Sequence, residues 1–147
     1  MPLISPDARL RALRCTLGPD RAAIAPASFT AHLFTGDPMS SGVEIADETE
    51  VDDGLGGTVF VPNGYAPVVV DSDDFAATAD FGMTVSVQFP DSLEAYPAEV
   101  THWALFDPVA EEWWDSGPLF EPEQVTGAGS WSPIAVTVFY DDDVEES

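Results

Sequence analysis

His32 and His102 are the only imidazoles in this 147-residue chain, and each lies inside an alternating apolar run. Set across neighbouring strands and completed by carboxylates, they would suit a zinc-type site. A histidine in such a run more commonly plays a structural or half-exposed part. Cys15, the single thiol, stands among arginines with no histidine near it in sequence, and no G-x-S-x-G turn occurs. Nucleophilic catalysis therefore has no visible machinery. Paired carboxylates can hydrolyse glycosides, but among 27 acids a close pair arises by chance and singles out nothing. Asp71-Ser72-Asp73-Asp74 offers oxygen ligands for calcium, yet lacks the glycine and the distal glutamate of an EF-hand loop. It reads as a solvated acidic turn. No convergent set of polar groups marks an enzyme, and no motif calls for a cofactor or a metal.

The aromatic residues allow a different kind of chemistry. Trp103, Trp113, Trp114 and Trp131 crowd the C-terminal third with Phe106, Phe120, Phe139 and Tyr140. Exposed, Trp113, Trp114 and Trp131 would form a platform on which sugars stack. Covered, they would be the larger half of the core or a subunit interface, where tryptophan and tyrosine are favoured. The residue types favour core or interface, with Trp103 and Phe106 in the same group.

Charge limits the partners. Arg9, Arg11, Arg14 and Arg21 are the only fixed cations, there is no lysine, and the net charge is −23. The first 21 residues hold all four arginines against only Asp7 and Asp20; every other acid lies beyond them. Such a body repels nucleic acid and anionic membranes. Two readings stay open: a solvated acidic surface that keeps the protein soluble, or a bipolar molecule whose basic end docks on an acidic partner. No run of about 18 apolar residues is present to span a membrane. The opening residues lack the apolar core of a secretory signal, which predicts synthesis and retention in a cytosol, in keeping with one unpaired cysteine.

The elements that would position these groups follow from periodicity. Ser5-Pro6-Asp7 opens a helix, Leu10, Leu13 and Leu17 form one apolar stripe, and Gly18-Pro19 stops it. Residues 1–25 are thus expected as a basic helix or arm. From 26 to 140 the period changes to two. Strands are expected at Ser28–Thr35, with Phe29, Ala31 and Leu33 on one side, and at Thr58–Val61, Ala66–Val70, Thr84–Phe89, Val100–Phe106 and Ile134–Tyr140. Ser40–Gly57 is expected as a surface excursion, Pro62-Asn63-Gly64 as a turn, and Asp107–Trp114 as a turn and return. Val100–Phe106 is apolar on both faces and belongs mid-sandwich or under a neighbouring subunit. Residues 141–147 form an acidic, frayed tail. The predicted fold is mainly β: a β-sandwich or jelly-roll-like single domain with a short N-terminal α-helix.

The order of segments carries a resemblance. Phe29–Pro38 (FTAHLFTGDP) resembles the "ALFTADP" opening strand and turn of small tailed-phage virion proteins, known as tail-fibre or head-decoration proteins. Gly42-Val43-Glu44-Ile45 stands where they have a Gly-Thr-Glu-Val-like step, Gly64–Val70 is similar to their "GYARV-V", and Val85–Pro90 falls where they carry "ITFP". Val100–Asp107 (VTHWALFD) resembles their "VTHFGIFDA", followed, as in them, by a return ending Asp115–Leu119. Ser40–Gly57 is longer and more acidic than their loop, and Pro67 replaces an arginine, so no partner contact is carried over there. The resemblance implies a structural virion component on the capsid surface, assembled in the host cytoplasm. It would be a capsid decoration (cement) protein contacting the major capsid protein and its own copies, as a homotrimer, with neither nucleic acid nor membrane as partner. The alternative is a tail-fibre or receptor-binding module for host polysaccharide. Arg9, Arg11, Arg14 and Arg21 would be the docking cations.

Overall fold

The computed structural model describes residues 17–19, 27–78 and 82–139. Alternation sets the first strand, β1 (Ser28–Thr35). Phe29, Ala31 and Leu33 point one way and are fully buried, while Thr30 and His32 point the other way and are partly covered. The strands that follow are β2 (Val43–Glu44), β3 (Glu48–Asp52), β4 (Thr58–Pro62), β5 (Val68–Asp71), β6 (Ala76–Ala77), β7 (Gly82–Val87), β8 (Val100–Asp107), β9 (Glu112–Glu123) and β10 (Ile134–Phe139). All pairings among them are antiparallel.

β1 is the spine of the main sheet. β2 and β5 share one of its edges, β8 lines the other, and β9 lies beyond β8. A second sheet runs β10-β7-β6. Their facing sides meet in one core, with Phe29, Leu33, Trp103 and Leu105 from the first sheet and Met83, Val87, Val136 and Val138 from the second. Tyr65, Phe75, Phe89 and Tyr96 join it from the connections. The result is the mainly β sandwich that the strand pattern predicts. Leu17 belongs to this core, and Gly18 beside it lies against Met83 and Phe75 and donates its N–H to the Ser72 carbonyl at 2.7 Å.

β8 sits mid-sheet, between β1 and β9, with one face on the core and Phe106 of the other face against Trp113. Trp103 and Leu105 enter the core, while Ala104 is buried on the other side. Leu105 lies opposite Asp115 but Phe106 lies opposite Trp113, so Trp114 is an extra residue on β9. This bulge reverses the alternation of β9. Trp114 turns inward and stacks on Phe29 with ring centroids 4.6 Å apart, and Trp113 turns outward beside Phe106. Farther along, Gly117 lies opposite Trp103 and makes room for its indole, since a Cβ there would stand 2.7 Å from the ring.

Two expectations need correction. Ser40–Gly57 is not a strandless excursion, for it holds β2 and β3. Thr49 and Val51 alternate with Glu48, Glu50 and Asp52, but acids of low strand propensity hide that period until β4 pairs with it. Pro62-Asn63-Gly64 turns the chain as expected, with Gly64 at φ +85°, and Asn63 within it is fully buried. The return after Asp107 is not short: β9 continues to Glu123. The predicted N-terminal helix, apart from Leu17, Gly18 and Pro19, lies outside the described residues, as do Tyr140 and the acidic tail.

Candidate functional site

The outer face of the main sheet carries a hydrogen-bonded chain of polar groups. Thr30 Oγ1 and His32 Nε2 are 2.7 Å apart, and His32 Nδ1 is 2.6 Å from Glu44 Oε2. Tyr65 donates its hydroxyl to the same Glu44 oxygen at 2.7 Å and accepts the Leu33 N–H at 2.9 Å. Burial pushes the Tyr65 hydroxyl far above its ordinary value, and the Glu44 carboxylate adds to that rise. Burial alone would also raise Glu44. Hydrogen bonds from His32 and Tyr65, with the positive charge of a protonated His32, outweigh it and hold the carboxyl below its ordinary value.

Hydroxyl, imidazole and carboxylate in a row are the parts of a proton relay. Thr30, however, pairs with Val69 on one side and Phe106 on the other, so the ladders on both edges occupy the backbone donors around it. The chain of groups instead straps β2 and the Tyr65 segment to β1.

Over this strap lies an aromatic cluster. Trp113 meets His32, Phe34 and Phe106 edge-on, at centroid separations of 4.8, 5.3 and 5.0 Å. Its indole is 47% exposed, so the cluster reaches the surface through one ring. The other tryptophans face inward. Trp103 is buried, Trp114 is stacked on Phe29, and Trp131 donates its Nε1–H to the Tyr96 hydroxyl at 3.0 Å while packing on the core. An open groove of about 630 Å³ runs beside Trp131, with Leu119, Glu121, Glu123 and Thr126 in its walls and Phe120 fully exposed at its rim.

The β3–β4 ribbon is the other exposed feature. Its strands pair only with each other. Glu48, Glu50 and Asp52 stand on one face opposite Pro62, Phe60 and Thr58, with Phe60 60% exposed, and Leu55 at the tip is 90% exposed. Asn63 fixes the base. Its N–H donates to Asp47 O, its carbonyl accepts from Leu93 N–H, its Oδ1 accepts from Tyr65 N–H, and its Nδ2 donates to Ala46 O and Thr49 Oγ1. Every polar group of that buried side chain is used.

The residues singled out in the sequence thus divide. Leu17, Phe29, Leu33 and Trp103 are core; Trp114 and Trp131 pack against it; Phe106 and Trp113 belong to the outer cluster. Arg9, Arg11, Arg14, Arg21, Leu10 and Leu13 lie outside the described residues. His32 and His102 form no metal group, and among the described residues no three His, Cys, Asp or Glu side chains gather to hold one. Asn63 and the ribbon escaped sequence reasoning; an asparagine before a positive-φ glycine looks like any surface turn. No known protein family, curated protein or solved structure matches the chain.

Proposed function

We propose that this chain is a structural virion protein of a tailed phage: a capsid decoration protein that binds the outer shell, contacts the major capsid protein and its own copies, and stabilises the assembled state. The observation that carries the reading is the surface. Leu55, Phe60 and Phe120 stand exposed on a body whose described residues include no lysine or arginine. Apolar side chains set among carboxylates form patches suited to another protein rather than to nucleic acid or an anionic lipid. A ligand that binds only the assembled shell stabilises it by mass action, and a small β body covering a seam acts in that way. Arg9, Arg11, Arg14 and Arg21 are the docking cations of the proposal, and a homotrimer suits a threefold position on a shell.

The alternative, a tail-fibre module for host polysaccharide, retains only Trp113 and the groove beside Trp131, because Trp114 is committed to Phe29. Immunogold labelling of intact tailed particles with antibody to the purified protein decides between them. Label spread over the head supports decoration. Label confined to the tail supports the fibre module, and particles without label overturn both.

A further inference from the structure

A sheet edge is a row of unpaired N–H and C=O groups, and proteins blunt such rows with charges, prolines, bulges or short strands. Most edges of this molecule are blunted. β9 carries Pro118, Pro122, Glu121 and Glu123, and the bulge at Trp114 interrupts it. β2 and β6 are two residues long, β5 ends at Asp71, β3 is mostly acidic, and β4 runs beside those acids and ends at Pro62. β10 is the exception. Among the described residues it pairs only with β7, in unbroken register from Ile134 to Phe139. That stretch holds no charge and no proline. No residue of β6, β7 or β10 is charged, in a chain with 27 acids. The first residues of β10 also border open space, for Ile134 and Ala135 line the groove beside Trp131.

We propose that β10 is the docking edge for β10 of a second copy, the two strands pairing antiparallel about a twofold axis so that each three-stranded sheet continues into the other. Charge selects the occupant. Two acidic bodies repel, so they meet where neither presents a carboxylate. β10 against β10 meets that condition, whereas β10 against β9 brings in Glu121 and Glu123. Shape agrees. Val136 and Val138 are buried, so Ala135, Thr137 and Phe139 share the outer face, with Ala135 exposed and Phe139 53% exposed. Side chains opposite one another must lie on the same face, so a strand paired with its own copy has a residue on the axis. With Val136 there, Phe139 would meet Pro133, which has no N–H to pair. With Thr137 there, Phe139 of each copy covers Ala135 of the other, and Val136 faces Val138. This joint goes beyond the decoration reading. It uses neither the arginines nor the shell, and a twofold joint adds to a threefold contact without replacing it.

The test is sedimentation equilibrium of full-length chains in about 0.5 M NaCl, where repulsion between the bodies is screened. A residue on the axis meets itself, so Thr137→Asp and Thr137→Lys each set like charges opposite one another. Either variant alone should sediment at about half the wild-type mass, and their equimolar mixture should return to the wild-type mass. Two outcomes overturn the proposal: variants that match the wild-type mass, or a mixture that stays at the mass of its parts while both variants unfold cooperatively in urea. Hydrogen exchange on the wild-type chain gives a reading without substitutions. The β10 amides that point away from β7 should exchange about tenfold more slowly when the protein is concentrated about a hundredfold, as a monomer–dimer equilibrium requires. Exchange that ignores concentration overturns the proposal as well. Neither measurement involves a particle, so failure here leaves the head-labelling result standing on its own.

Discussion

Asn63 has no exposed atom through which water could replace a lost partner. Replacing it with alanine strands the Ala46 carbonyl and the Tyr65 N–H, and should cost about 3 kcal/mol, read as a lower urea midpoint with unchanged slope. Glu44 makes a prediction in pH. Its carboxyl is held below its ordinary value in the fold, so its contribution is complete above the unfolded-state pKa and fades as pH falls through the folded one. Urea midpoints measured downward from the ordinary carboxylate value of 4.5 should therefore fall less steeply for Glu44→Gln than for wild type. Trp114 and Trp113 are neighbours with opposite fates. Trp114→Ala should cost about 3 kcal/mol through the lost stack on Phe29, and Trp113→Ala less than half of that. Iodide quenching reports the same division: Trp113→Phe should remove most of the quenchable emission.

At the scale of elements, what was legible depended on where the alternation was apolar enough to see. β1, β7, β8 and β10 bury Val, Phe, Leu and Trp on one face, and their sequences predict them with small errors at the ends. β3 was invisible because three of its five residues are acids. The reach of β9 was invisible because Pro118 and Pro122, which argue against a strand, sit in an edge strand where the outer side needs no donor. The bulge at Trp114 is a tertiary event. Nothing in Glu112–Asp115 says which tryptophan faces inward until β8 sets the register. The same holds for the strap. His32 read as structural, but Glu44 and Tyr65 reach it from distant segments that no local spacing joins. The charge map was legible in full, since it needs only the order of residues.

For the whole molecule, that map governs stability as well as partners. A chain of net charge −23 pushes on itself, and added salt screens the push. The urea midpoint should rise between about 10 mM and 0.5 M NaCl, where the screening length falls from about 30 Å to a few ångström; a midpoint that falls with salt would mean that ion pairs, not repulsion, dominate. Placement of the arginines around the Leu17 anchor carries one more consequence. Trypsin cuts only after lysine or arginine, so the described strands offer it no site, and its last target is Arg21. Cleavage after Arg14 leaves Leu17 covalently attached, whereas cleavage after Arg21 severs the peptide that holds it. A nicked protein must then either grip that peptide without a bond or open a leucine-sized void in the core.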